Sequence, residues 1–113
     1  MSCIFCKIAS KEIPSQAVFE NDTVFAFRDL NPQAPVHILV TPKKHISSIN
    51  EINSENSSIV AEIFQTISQI AERENIKESG YRVICNCGDD GCQSVQHLHF
   101  HILGGKKLSE TLS

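Results

Sequence analysis

Residues 88–105 have the sequence GDDGCQSVQHLHFHILGG, in which three histidines alternate with apolar residues. A β-strand directs every second side chain to the same face, so His97, His99 and His101 are predicted to form one row of imidazoles. A solvent-facing strand is normally lined by residues such as Ser, Thr or Lys. Histidine titrates near neutral pH and serves as a base, a nucleophile or a metal ligand, so this row indicates a reaction centre.

The segment before the histidines is suited to binding an anion. Gly88 and Gly91 permit a tight turn that can present backbone N–H groups, and Ser94 adds a hydroxyl. An anion site beside a row of imidazoles predicts chemistry on a phosphate group.

Length and charge limit the classes of protein to consider. The chain has 113 residues, which favours a single domain over residues 1–113. The net charge of −3 argues against nucleic acid as a partner, because such binding rests on many Lys and Arg contacts with phosphates. No stretch approaches the ~20 apolar residues of a membrane span, and no segment resembles a signal peptide. We therefore expect a cytoplasmic protein that binds neither membranes nor nucleic acid.

Two of the five cysteines, Cys3 and Cys6, are about one helical turn apart. A Cys-x-x-Cys pair alone is equally compatible with two small core residues or with a redox pair. His45 and His97 are candidates to complete a tetrahedral zinc site with them. Four protein ligands would leave no open position on the metal, so the zinc would be structural and not required for catalysis.

Hydrophobic periodicity predicts an α+β fold. A short helix is expected over residues 3–9, and residues 54–75 carry one apolar stripe at helical spacing, capped by Asn53 or Ser54. The histidine row is predicted to lie on the last of five strands, the others spanning residues 17–20, 23–29, 36–41 and 81–86. The expected result is a five-stranded antiparallel sheet with one long and one short helix.

Three stretches together carry a recognisable pattern, namely QSVQHLHFHILGG at residues 93–105, FRDLNPQAPVH at 27–37 and VTPKKHI at 40–46. They resemble the histidine triad (HIT) family, in the branch of the histidine triad nucleotide-binding proteins, and the likeness covers nearly the whole chain. The resemblance implies a HIT-like fold and a twofold homodimer. Zinc-containing members of the family point to the same four ligands, Cys3, Cys6, His45 and His97.

The resemblance also implies catalytic roles for the histidines. His99, the central one, would attack the α-phosphate and form a nucleotidyl-histidine intermediate that water hydrolyses. His101 would hydrogen-bond a phosphate oxygen, and Ser94 would assist protonation of the departing amine. His37 would be hydrogen-bonded into the triad network, and His97 would direct one ring nitrogen to the zinc and the other to that network.

Further residues are implied to bind the nucleotide. Asp29 is a turn or cap residue by position alone, and the resemblance shifts it towards the ribose hydroxyls. Asn86 would add a donor near the phosphate, and Cys92 stands where relatives often have glycine, which would alter the anion pocket. The apolar candidates beside the base, equally compatible with plain core positions, are Ile8, Phe27 and Leu30.

The function implied is that of a purine nucleoside phosphoramidase, which hydrolyses adenosine 5′-monophosphoramidate and similar compounds to AMP and an amine. Three alternatives stay open. The histidines of the row could hold a catalytic metal directly, which predicts that a chelator abolishes activity. The protein could be a nucleotide-binding or regulatory interaction module with incidental turnover. It could also be a dinucleoside polyphosphate hydrolase of the fragile histidine triad branch, from which Ser94 and the Gly104-Gly105 pair differ.

Overall fold

A five-stranded antiparallel sheet forms the centre of the computed structural model, which describes residues 3–112. The strands have the spatial order β1-β2-β3-β5-β4, so β1 and β4 are the edges and β3 is central. In chain order the elements are α1 (Ile4–Ala9), β1 (Ala17–Glu20), β2 (Val24–Arg28), β3 (Val36–Pro42), a 3₁₀ turn (Ile49–Glu51), α2 (Ser57–Arg73), β4 (Tyr81–Ile84) and β5 (Phe100–Gly104).

The long helix α2 covers one face of the sheet. Its residues Ile63, Ile67, Ile70 and Ala71 recur at helical spacing and are almost fully buried. They pack against the strand residues that point to the same side, namely Val24, Ala26, Ile38, Val40, Phe100 and Ile102. Burying each isoleucine stabilises the fold by about 2 kcal/mol, so this stripe anchors the helix to the sheet.

The short helix α1 covers part of the opposite face. Phe5 and Ile8 of α1 pack on Phe25, Phe27 and Leu39 of the central strands. Alternate residues of a strand share a face. The side chains next to Leu39 on this face therefore belong to residues two positions away in β3 and to the residue paired with Leu39 on the adjacent strand. The register pairs Leu39 with His101, and His37 lies two residues before Leu39. The sheet thereby brings two histidines together beneath α1.

The helix α2 begins later than the sequence predicts. Its first residue is Ser57 and its N-cap is Asn56, and neither Asn53 nor Ser54 caps it. The Asn53 side chain instead accepts a hydrogen bond from the Glu55 N–H, and Asn56 accepts one from the Asn53 N–H. These local side-chain bonds hold residues 53–56 in a turn, because asparagine competes with the helix for backbone donors.

Within residues 3–112, none of the helices combines the length and the apolar character that a membrane crossing needs.

Candidate active site

The three alternating histidines do not all lie on one strand. Only His101 belongs to β5, which begins at Phe100, so the predicted strand through all three was too long. His97 and His99 precede it in a segment outside the sheet, where the Leu98 N–H donates to the Ile46 carbonyl. The predicted alternation of faces is nevertheless confirmed, because Leu98, Phe100 and Ile102 all point into the core under α2.

His37 and His101 are joined by a hydrogen bond of 2.9 Å between His37 Nε2 and His101 Nδ1. The Gln33 N–H donates to His37 Nδ1 at 3.0 Å, so Nδ1 carries no proton and Nε2 is the protonated nitrogen. His37 therefore donates to His101 Nδ1, which leaves the proton of His101 on its Nε2. A carboxylate oxygen of Asp29, 3.4 Å from His37 Nε2, supports the same tautomer.

His99 is oriented by a different partner. Its Nδ1 lies 2.7 Å from the main-chain carbonyl of His97, which can only accept a hydrogen bond. Nδ1 therefore carries the proton and Nε2 keeps a free lone pair. The edge-to-face packing of the Phe5 ring, with centroids 4.9 Å apart, holds the imidazole plane. His99 is 4% exposed, so the ring that carries this lone pair is both fixed and shielded from bulk water.

Burial disfavours the charged forms of His37 and His101. It lowers the pKa of His101 to about 4, with His99 and His37 adding to the effect and the Asp29 carboxylate opposing it. Burial likewise lowers the pKa of His37, against the attraction of Asp29. At neutral pH, His101 is accordingly an uncharged hydrogen-bond donor through Nε2.

A second cluster lies beside the first, where α1 meets the segments carrying His45 and His97. One ligand atom from each of Cys3, Cys6, His45 and His97 lies within 4.8 Å of the other three, so the group could hold a metal ion. The Nδ1 of His97 is 3.3 Å from the Cys3 sulfur, and the Nδ1 of His45 is 3.3 Å from the Cys6 sulfur. Two thiols and two imidazoles at one point are the donor set of a tetrahedral site.

The chemistry of these four side chains fits a cation. The His97 Nε2 lies 2.9 Å from the Pro42 carbonyl, so Nε2 carries the proton and the Nδ1 lone pair faces the thiols. Burial, together with the neighbouring Cys3, raises the pKa of the Cys6 thiol. A bound cation would reverse this effect by favouring both thiolates.

The second nitrogen of His97 was expected to meet the His37 network, and that expectation is wrong. That nitrogen bonds the carbonyl of Pro42, the last residue of β3, because His97 precedes β5 and lies outside the sheet. His97 still contacts the triad through its main-chain carbonyl, which bonds His99.

The row of histidines does not converge on one point. Among residues 3–112, two groups bring three or more possible ligand atoms within 4.8 Å of each other, the Cys/His cluster and a group made of Asp29, His37 and His101. The second group is already linked by hydrogen bonds. A catalytic metal held jointly by His97, His99 and His101 is therefore not supported by the geometry.

The glycine turn before the histidines folds into a closed loop. Ser94 is exposed at its end, and the Asn86 amide donates to the Gly91 carbonyl at 2.7 Å. A Cβ at Gly91 would lie 2.4 Å from the Cys87 carbonyl oxygen, so only glycine fits there. Cys92 adopts φ 60°, a left-handed conformation that glycine takes at little cost and that a residue with a Cβ takes with strain.

The residues expected around the nucleoside are separated by the fold. Asp29 and exposed Leu30 line an open cavity of about 540 Å³ together with residues 14–16 and Pro32. Phe27 and Ile8 are 5% and 8% exposed and belong to the core cluster under α1. One Asp29 oxygen also accepts from the Asn31 N–H at 2.7 Å, which is the turn role that its position indicates.

Four contributors to the site escaped sequence reasoning. Two are main-chain groups, the Gln33 N–H and the Pro42 carbonyl, which have no signature in side-chain identity. Phe5 was part of the predicted helix, but nothing in the sequence pairs it with His99. Gln93 lies in the sequence motif that contains the histidines, but the sequence assigned it no role. The structure shows that Gln93 is buried beside the exposed Ser94.

Comparisons with known proteins agree with this architecture. A family model described as scavenger mRNA decapping enzyme C-term binding matches residues 2–112. The purine nucleoside phosphoramidase of Escherichia coli is 44% identical over 110 residues, which are 97% of this chain and 92% of the relative. Adenylylsulfatase HINT1 of Arabidopsis thaliana is 44% identical over 108 residues, covering 94% of this chain and 73% of the relative.

A solved structure of a histidine triad protein from Clostridium difficile superposes with a TM-score of 0.96 at 55% identity, and the match covers 98% of this chain and 96% of that one. It confirms the predicted antiparallel sheet with one long and one short helix. Given these full-length matches and the paired histidines beneath α1, the chain belongs to the histidine triad family.

Proposed function

We propose that the protein is a purine nucleoside phosphoramidase, which splits the P–N bond of compounds such as adenosine 5′-monophosphoramidate to give AMP and an amine. The observation that carries the proposal is the state of His99, whose Nδ1–H is held by the His97 carbonyl so that the Nε2 lone pair is free. An oriented neutral imidazole is a competent nucleophile towards phosphorus. The named activity of the Escherichia coli relative supports the same reaction and substrate class.

In the first step, the His99 Nε2 lone pair forms a bond to the α-phosphorus and the P–N bond breaks. The bonding pair goes to the leaving nitrogen, which takes a proton from the Ser94 hydroxyl. His101 donates its Nε2–H to a non-bridging phosphate oxygen, where negative charge must be held as the geometry changes. His37, fixed by the Gln33 N–H, keeps that proton on the outer nitrogen of His101.

In the second step, water attacks the phosphorus of the nucleotidyl-histidine. The P–N bond to His99 breaks, the ring recovers its lone pair, and one proton of the water restores the Ser94 hydroxyl. The balance is one water consumed for one amine and one nucleoside monophosphate formed. Asp29 at the cavity would accept from the ribose hydroxyls, with Leu30 beside the base, and Asn86 would support the phosphate loop through Gly91.

Zinc is the cation proposed for the Cys/His cluster. The donor set of Cys3, Cys6, His45 and His97 favours it over the oxygen-seeking ions Mg²⁺ and Ca²⁺. With four protein ligands, such an ion would stabilise the junction between α1 and the histidine segment. The chemical step uses only groups of the protein.

The proposed form of the protein is a homodimer that works on a small nucleotide in the cytoplasm. The long helix exposes Phe64, 49% accessible, and the edge strand β4 exposes Tyr81, 36% accessible. An apolar side chain beside an unpaired strand edge supports self-association at this side of the sheet. The net charge of −3 supports a small anionic substrate in preference to a nucleic acid.

The test measures AMP release from adenosine 5′-monophosphoramidate by the wild type and by His99→Ala, each before and after chelation, with zinc content determined in parallel. We expect wild-type turnover to persist after zinc is removed. We expect His99→Ala to lose several orders of magnitude in kcat, as the removal of a nucleophile typically does, while circular dichroism shows an intact fold. Intact-mass spectrometry should detect a nucleotidyl adduct in the wild type alone.

Other outcomes point to the competing functions. Loss of wild-type turnover on chelation, with the fold retained, would favour a catalytic metal. A His99→Ala variant at the wild-type rate would remove the nucleophile assignment. Nucleotide binding without turnover under any condition would favour an interaction module, and a preference for dinucleoside polyphosphates would place the protein with that class of hydrolases.

A further inference from the structure

Gln93 is a buried polar residue next to exposed Ser94, and its side-chain amide makes three hydrogen bonds. Its Oε1 accepts from the Gly88 N–H at 3.0 Å. Its Nε2 donates to the Ser47 carbonyl at 2.7 Å and to the Val95 carbonyl at 3.0 Å. Only one orientation of the amide satisfies all three partners, because the partners are one donor and two acceptors.

These three bonds surround Ser94 in the chain. Gly88 begins the glycine turn and Val95 directly follows Ser94, so one amide closes the loop on both sides of the serine. The Gln93 main chain adds a further bond, from its N–H to the Gly88 carbonyl at 3.0 Å. Through Ser47 the same amide ties the loop to the segment that carries His45. We define this arrangement, the Gln93 amide with Gly88, Ser47 and Val95, as the glutamine clamp.

Ser94 itself depends on its backbone for position. Its side chain is exposed and short, so the location of the hydroxyl follows from the location of its Cα. Proton transfer to a leaving group tolerates little displacement, and a misplacement of about 1 Å in an active site can lower the rate about a hundredfold. Hydrogen bonds that fix the main chain on both sides of Ser94 should therefore affect the rate of proton transfer to the leaving group.

We propose that Gln93 is a positioning residue that holds the Ser94 hydroxyl where it protonates the leaving amine. This inference rests on the proposed phosphoramidase activity. It identifies the residue that makes the rate depend on whether the leaving group needs a proton. It makes a specific distinction between substrates. Loss of the clamp should slow cleavage of a bond whose leaving group needs a proton and should spare cleavage of a bond whose leaving group departs without one.

The experiment compares two AMP derivatives, an alkyl phosphoramidate and the p-nitrophenyl ester. The amine must be protonated as it leaves, whereas p-nitrophenolate is stable as an anion. Gln93→Glu retains the side-chain shape but places an ionised oxygen against the Ser47 and Val95 carbonyls, so it breaks the clamp. We expect kcat/KM to fall about tenfold or more for the phosphoramidate and to change less than about threefold for the ester.

Four further variants make the readout specific. Ser94→Ala should show the same substrate dependence, and the double variant Gln93→Glu/Ser94→Ala should be no slower than Ser94→Ala alone, because both changes remove one function. Gln93→Met breaks the clamp without adding a charge and should show the same substrate dependence as Gln93→Glu. It therefore tests the proposal even if Gln93→Glu folds poorly. Gln69→Glu makes the same chemical change at an exposed position on α2, away from the loop, and should behave as the wild type.

Equal losses on both substrates, or additive losses in the double variant, would overturn the proposal and leave Gln93 with a purely structural role. A wild type that cleaves neither substrate would overturn the phosphoramidase function and the clamp together. The two failures are distinguishable, because only the second removes wild-type turnover.

Discussion

The histidines of the site differ in which ring nitrogen carries the proton, and each difference has an identified cause. A backbone N–H fixes His37, whereas a backbone carbonyl fixes His99 in the opposite tautomer. His101 takes its tautomer from His37. One imidazole thereby presents a lone pair while its neighbour presents a proton. Identical residues in one row can thus serve as nucleophile and donor because their second nitrogens meet different partners.

The neutrality of His101 predicts a dependence of stability on pH. Its pKa is about 4 in the folded protein, and an unfolded histidine titrates near 6.5. Between these values the unfolded chain binds a proton that the folded protein does not, so the free energy of unfolding falls as the pH falls through this window. Burial lowers the pKa of His37 in the same sense, and the facing groups are His99 and Asp29.

We expect the wild type to lose roughly 2 to 3 kcal/mol from this source between pH 6.5 and pH 4, a shift of one pKa unit being about 1.4 kcal/mol. Urea unfolding at several pH values measures it. His101→Gln keeps a hydrogen-bonding side chain but does not titrate, so its stability should fall less steeply over the same range. Parallel curves for the two proteins would contradict the assignment of the effect to His101.

At the scale of elements, α1 does more than cover the sheet. Its N-cap Cys3 and its residue Cys6 belong to the Cys/His cluster, and Phe5 between them packs on His99. The sulfur of Cys3 also accepts from the Cys6 N–H and so caps the helix. One short helix therefore links the proposed structural ion to the His99 ring, the proposed nucleophile.

The conformation of the loop that precedes the histidines predicts that substitution of Gly91 lowers both stability and activity. In Gly91→Ala, the new Cβ would lie 2.4 Å from the Cys87 carbonyl oxygen, which is main chain and cannot rotate away. The loop must shift, and Ser94 with it. We expect the free energy of unfolding to fall by about 2 kcal/mol and kcat/KM for the phosphoramidate to fall about tenfold or more.

Denaturant unfolding and steady-state kinetics measure the two effects of Gly91→Ala. Asp90→Ala is the matched control, since Asp90 is exposed in the same turn and should tolerate the change. A Gly91→Ala protein with wild-type stability and kinetics would show that the loop does not hold the conformation described here.

Sequence reasoning was accurate where periodicity decides the structure and inaccurate where single hydrogen bonds do. The stripe on α2 and the alternation around His99 were predictable, because both follow from burying one face. The start of α2 and the extent of β5 were not predictable. The Asn53 side chain bonds the nearby Glu55 N–H, and the Leu98 N–H bonds the Ile46 carbonyl, which is distant in the chain. The Pro42 carbonyl beside His97 depends on tertiary geometry that no residue pattern encodes.

At the scale of the whole molecule, the two faces of the sheet have separate tasks. The α2 face is an apolar core, whereas the α1 face holds the paired histidines and the Cys/His cluster. The sequence anticipated both sides because apolar and histidine residues alternate through residues 97–102. The exposed Phe64 on α2 lies on the opposite side of the sheet from His37 and His101, so association there would leave the α1 face open.

The proposed homodimer predicts the behaviour of Phe64→Glu. Phe64 is 49% exposed and packs its other side on Phe100, so a carboxylate would point out of the protein and into the proposed interface. Burying that charge without a partner costs several kcal/mol, so we expect this variant to sediment as a monomer where the wild type sediments as a dimer. Gln65→Glu adds the same charge one residue along α2 and should remain dimeric. A dimeric Phe64→Glu protein would place any interface on another surface, since no dimer could bury the new carboxylate at α2 without that cost.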